Sequence, residues 1–283
     1  MAWLAIATAS TALLFAFITF SINFGLLFSI FITKRIKKSE ELTLFYARFA
    51  IDFLFCISNA TNTLCVLFHF FNFTPFPIIV FLSSLISIDL MSLRAIMVFV
   101  ITVDRTLAVY LPIKHIVHRK RIPNSLIIFG VFTYSLIDNG VLWGICNYHF
   151  YIPSGCISFG CLMNQCYVDY WLGFEQTMYI LIGIASFLML TKLFIWNNCY
   201  KTQNSATFSR ANRLALIDVL IVALFDFLPV AIIARNTGYN FQEYGPVKAA
   251  MILMGYTMEG CLVTRALIRR NDMIMNSSGS RGK

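Results

Sequence analysis

Apolar residues along this chain come in long blocks. They show neither the alternation of a half-buried strand nor the one-sided stripe of a soluble helix. Seven blocks are long enough to cross a hydrocarbon core, which takes about 20 mostly apolar residues as a helix. They run from Leu4 to Ile32, Leu42 to Phe71, Ile78 to Tyr110, Ser125 to Cys146, Tyr170 to Trp196, Leu214 to Ala234 and Val247 to Ile268. The breaks between them are polar, basic or proline-bearing. Lys34-Arg35-Ile36-Lys37-Lys38 closes the first block, and Pro75 and Pro77 stop a helix between the second and third. Longer polar connections follow at 147–169 and 197–213, and a short one at 236–246. The pattern predicts an all-α membrane protein, a seven-transmembrane helix bundle over residues 1–268. A short polar tail, 269–283, is expected to be disordered. The first block has no charged segment before it and exceeds the length of a signal-peptide core, so it is expected to be a retained span.

Composition supports this reading. Hydrophobic residues make up 59% of the chain and charged ones 12%, whereas soluble domains are nearer half and a quarter. The net charge of +9 is spread over short segments between apolar blocks, so it does not point to nucleic acid. All of the 22 Lys and Arg residues except Arg94, Arg235 and Lys248 fall after blocks one, three and five, in the tail, or at the adjoining helix ends. Basic residues gather on the cytoplasmic side. The expected orientation is therefore N-terminus outside and C-terminus inside.

Charges within the blocks are the next signal, because intramembrane ions are costly and mark functional interiors. Asp89 and Arg94 lie inside the third block. Arg94 is about 16 Å deeper than Arg105 and within roughly 20° of the same helix face. A buried Arg94 needs carboxylates. Candidates at similar depth are Asp138, Asp226 and Glu259, with Asp52 somewhat lower. Two readings stay open: an anion-binding or relay centre under a ligand pocket, or a polar network that locks helices together. In the sixth block, Asp226 precedes Pro229 by three residues. Proline frees a carbonyl and kinks a helix, so Phe227 and Pro229 form either a helix-six hinge at a pocket floor or an ordinary membrane-helix kink.

At the end of the third block stands Asp104-Arg105-Thr106, followed by Pro112-Ile113 and a basic cluster of Lys114, Arg119, Lys120 and Arg121. This resembles the Asp-Arg-Tyr signature at the inner end of helix three in rhodopsin-like G-protein-coupled receptors. Phe227-Leu228-Pro229 resembles that family's Trp-x-Pro kink. Thr106 stands where Tyr is usual, the seventh block lacks Asn-Pro-x-x-Tyr, and no Cys lies near Val80. These departures, the Phe-rich spans and the stretch from Thr102 to His115 are most similar to the nematode serpentine chemoreceptors of the Srbc class.

The resemblance implies a chemosensory receptor in the plasma membrane of sensory-neuron cilia. It would bind a small odorant or pheromone-like ligand, apolar or weakly polar, in the outer half of the bundle, and activate a heterotrimeric G protein at the inner face. It assigns Asp104, Arg105 and Pro112 to coupling. Asp104 would hold Arg105 at rest, with Asp218 a second partner across the bundle. In the plainer alternative, Asp104 and Arg105 only anchor the helix at the headgroups.

The remaining chemistry is sparse. Cys146, Cys156, Cys161 and Cys166 flank or occupy one outer loop, where disulfides are expected. Their spacing does not suit zinc and does not fix the pairing. Asn72-Phe73-Thr74 is a formal glycosylation sequon crowded against the membrane. With four His and no hydrolase, metalloprotease or phosphate-loop motif, no enzyme, metal or cofactor is expected. The main rival is a small transporter or channel that uses the intramembrane charges as a conduction path, although the broken, repeated helices common in transporters are not found.

Overall fold

The computed structural model describes residues 2–35, 42–70, 77–119, 121–150, 162–199, 210–229 and 247–265. The tail, the Asn72 sequon, Cys156 and Cys161 lie outside them. Among the described residues all regular structure is helical. The helices are α1 (Ala2–Phe31), α2 (Thr43–Phe70), α3 (Pro77–Tyr110), α4 (Pro112–Arg119), α5 (Asn124–Gly140), α6 (Gln165–Cys199), α7 (Arg210–Ile221) and α8 (247–265). Five of them, α1, α2, α3, α5 with its π-helical extension, and α6, are long and apolar enough to cross a membrane by length and composition. The described parts of α7 and α8 occupy the last two expected blocks. Together with the π-helical continuation of α7, Val222–Phe227, they carry Asp218, Asp226, Lys248 and Glu259, all buried, so these ionisable side chains face the bundle.

α3 is the central element, more deeply buried than α1 and the other spans. The main core gathers Phe45, Phe49 and Phe55 of α2, Met97 and Ile101 of α3, and Leu253 and Tyr256 of α8. Large side chains on the outside, such as Phe17, Phe129, Leu136, Phe187 and Phe194, are exposed. An apolar outer surface of this kind suits lipid. Small residues let α8 approach closely. A Cβ at Gly260 would lie 2.9 Å from Ile22, and one at Gly255 would lie 2.7 Å from Phe225. The Thr19 and Thr257 hydroxyls meet at 2.7 Å across α1 and α8.

Three boundaries differ from the sequence reading. α6 begins at Gln165, not Tyr170, because the Asn164 side chain accepts the Tyr167 amide at 3.1 Å and so caps the helix. Cys166 is therefore helical. The segment after Leu111 is a short helix with Pro112 at its first position, where the missing N–H costs nothing. Just before Pro229 the helix takes a wider turn. Residues Val222–Phe227 are π-helical, and the Leu228 amide bonds to the Ala223 carbonyl. A second π-turn, Val141–Ile145, ends the α5 segment. Such turns often mark functional sites in helices.

Candidate functional site

The centre of the bundle holds two guanidiniums, Arg48 and Arg94, among four carboxylates, Asp52, Asp218, Asp226 and Glu259. Every one of these residues is at most 3% exposed, so these charges depend on one another rather than on water. Arg94 donates from Nε to Asp52 at 2.9 Å, from Nη1 to Asp226 at 3.0 Å and from Nη2 to Glu259 at 2.7 Å. Its guanidinium carbon lies 3.7 Å from the Tyr256 ring centroid. Arg48 pairs with Asp52 at 3.2 Å, one turn along α2, and with Asp218 and Glu259. The network ties α2, α3, the α7 segment and α8 into one unit. A planar five-donor group suits such a hub, since it can serve several carboxylates at fixed angles.

Asp52, Asp226 and Glu259 thus meet Arg94. Asp138 does not: it sits on α5 beside Asp89 and near the Tyr134, Tyr167 and Tyr170 phenols. Equal depth along parallel helices fixes height and leaves the facing direction open. Asp89 accepts a 3.0 Å hydrogen bond from Asn139 and likewise lies outside the Arg94 cluster. Asp218 does not reach across to Arg105; it binds Arg48. Arg48 supplies the missing reason. Counting it with the basic helix ends hides its place in an apolar block four residues before Asp52.

At the other end of α3, Asp104 and Arg105 are nearly buried and paired to each other. Asp104 also accepts from Arg119 at 2.8 Å and contacts the His115 ring at 3.1 Å. Arg119 bonds onward to the Ile122 carbonyl at 2.7 Å and to the Asn124 side chain. One carboxylate therefore clamps α4 back onto α3. Pro112 opens α4. The Thr106 hydroxyl donates to the Ala185 carbonyl of α6 at 3.1 Å, a tie that fixes α3 to α6 there. Phe227 packs edge-on to Tyr179 at 6.3 Å and, with Tyr179, Ile182, Gly183 and Val222, lines a cavity of about 210 Å³.

At the opposite end, Cys146 and Cys166 form a disulfide between the α5 segment and α6. The Tyr148 hydroxyl donates to the Leu162 carbonyl at 2.7 Å, and burial pushes this phenol's pKa up. A further buried pair escaped the sequence reading: Lys248 of α8 binds Glu175 of α6 at 2.9 Å and lies 4.3 Å from the Trp171 ring centroid. Glu175 stands inside an apolar block, which is the signal that could have found it. The described residues contain no group of three or more His, Cys, Asp or Glu side chains arranged to hold a metal ion.

Comparison with known proteins adds one match. The family model described as serpentine type 7TM GPCR chemoreceptor Srbc covers residues 1–271. No curated protein matches the chain.

Proposed function

The chain belongs to the Srbc family of serpentine chemoreceptors, and on that premise we propose that it is a ligand-activated receptor coupled to a heterotrimeric G protein. It spans the plasma membrane of a nematode sensory cilium seven times. The Cys146–Cys166 end lies outside and the Asp104 end inside. The family is one of receptors, not enzymes.

The observation that carries this reading is the Asp104 clamp. One carboxylate occupies Arg105, Arg119 and His115 together, so the guanidinium of Arg105 is held away from a partner at rest. A ligand in the outer half that favours an outward position of helix six shifts the balance by its differential affinity for the two states. The Arg48–Arg94 network couples that movement to α2, α3 and α8, because two of its carboxylates, Asp218 and Asp226, sit on the helix that must move. Release of Arg105 then exposes it to the G protein. The π-turn before Pro229 provides a place for the helix to bend.

The test is nucleotide exchange on a heterotrimeric G protein in membranes that carry the receptor, run beside ion and solute flux in liposomes. Ligand-dependent exchange without flux supports the proposal. Ligand-dependent flux without exchange contradicts it.

A further inference from the structure

We infer that Asp218 and Asp226 are neutral carboxylic acids in the resting receptor, and that Asp218 gives up its proton when its helix swings outward. Activation is then linked to proton release at the inner face. The inference rests on the receptor reading above and adds a proton to what the moving helix binds.

The charges of the central network do not balance. Four carboxylates, Asp52, Asp218, Asp226 and Glu259, meet two guanidiniums in a dry interior. Arg48 and Arg94 keep their charge, since a guanidinium does not deprotonate in a protein. Asp52 and Glu259 each touch both guanidiniums, one oxygen apiece, and are the two acids compensated as anions. Asp218 pairs with Arg48 alone and Asp226 with Arg94 alone, each through Oδ2. The groups around them supply no further cation. Lys248 of α8 is matched by Glu175 of α6 at 2.9 Å. Cys56 of α2, Tyr179 of α6 and Tyr256 of α8 are neutral when protonated. Among the described residues no other Lys, Arg or His forms an ion pair with these four acids.

An uncompensated carboxylate in an apolar interior takes up a proton rather than stay charged. The geometry places the protons. Asp218 Oδ2 and Glu259 Oε1 share one nitrogen, Arg48 Nη1, and two carboxylates on one site do not both ionise. Glu259 has the second guanidinium, so the proton falls to Asp218. Asp226 likewise shares Arg94 with Asp52 and Glu259, which both have Arg48 as well. Both excess acids lie on one helix, about two turns apart, and it is the helix that must move. Asp218 stands about two turns from the first residue of α7, Arg210, at the inner side. Outward movement therefore brings water to Asp218 before Asp226. The O–H bond then breaks, the proton passes to water, and a hydrated carboxylate remains, the ordinary state of aspartate at neutral pH. The resting state binds the extra proton, so a fall in pH favours rest and a rise favours the active state.

The experiment compares the purified full-length receptor in lipid nanodiscs with its Asp218→Asn, Asp226→Asn, Asp52→Asn and Glu259→Gln variants at neutral pH. An amide reproduces a neutral acid but not an anion. Asp218→Asn and Asp226→Asn are therefore expected to keep the wild-type melting temperature, and Asp52→Asn and Glu259→Gln to lower it. The infrared band of protonated carboxyl groups, which shifts in heavy water, should lose intensity in each of the first two variants and not in the other two. A fall in melting temperature in Asp218→Asn or Asp226→Asn as large as in Asp52→Asn, or failure of either to fold, would overturn the inference. So would an infrared band that neither variant reduces. Proton release is read from ligand-free nucleotide exchange on the G protein. It should rise with pH by up to about tenfold per unit, the linkage of one proton, and lose that slope in Asp218→Asn. Equal slopes in the two would overturn the release step. Melting and infrared spectra need neither ligand nor G protein, so the expected results there with no exchange at any pH would contradict the receptor reading alone.

Discussion

Arg48 and Arg94 grip opposite oxygens of the same two carboxylates. Asp52 offers Oδ2 to Arg48 and Oδ1 to Arg94, and Glu259 offers Oε1 and Oε2 in the same way. Neither cation can leave without stranding acids that the other alone must serve. Arg48→Ala and Arg94→Ala should each destabilise the receptor by about 3–5 kcal/mol, the cost of breaking a buried pair. Arg48→Lys and Arg94→Lys should cost less, since the charge remains. Surface expression and thermal stability in detergent check this. The double alanine variant should be less damaging than the sum of the singles, because the residues share partners. Strict additivity would mean that the two guanidiniums act separately.

The clamp on Asp104 makes a different prediction. Asp104→Asn should raise ligand-free signalling, because Arg105 and α4 both lose their anionic acceptor. Arg119→Ala should act in the same direction but more weakly, as it frees α4 and leaves Arg105 paired. Loss of one charge-assisted hydrogen bond corresponds to a shift of about tenfold in the resting balance. Second-messenger output without ligand, at matched surface expression, measures both.

How much of this was legible in the sequence differs from part to part. Five apolar blocks appear in the fold as helices long enough to span, and the described parts of the other two are helical, because hydrocarbon leaves a spanning chain little choice but to satisfy its own backbone. The carboxylates around Arg94 were partly legible: helix rise gives depth, so Asp226 and Glu259 were found and Asp138 was wrongly included. Which way a helix is turned depends on its neighbours. For the same reason Asp218 looked like a partner for Arg105, while Arg48, its observed partner, was hidden among basic residues that set topology. The start of α6 was misplaced because Asn164 caps the helix inside what reads as polar loop. The π-turn at Val222–Phe227 has no simple sequence signal beyond the proline that follows it.

The disulfide can be tested directly. Cys146→Ser and Cys166→Ser should each cost about 2–4 kcal/mol of stability, the usual effect of opening a loop of this size. The double variant should be no worse than either single one, as read from thermal denaturation of the purified receptor. Distinct effects of the two singles would show that one of these cysteines pairs elsewhere.

Topology rests on the distribution of basic residues. A tag inserted at Asn204 should be protected from external protease in intact cells, and a tag at Gly155 should be cleaved. Both positions lie outside the described helices, in the connections before and after α6. Cleavage of both, or of neither, would contradict a span between them.

The central claim is that Arg105 carries the signal from the bundle to a G protein. The most direct measurement is ligand-stimulated nucleotide exchange by the Arg105→Ala receptor at surface expression equal to wild type, with ligand stabilisation measured in parallel. The account predicts that exchange is abolished while ligand stabilisation is retained. Normal exchange in that variant would contradict it and leave Asp104 and Arg105 as no more than an anchor for the end of α3.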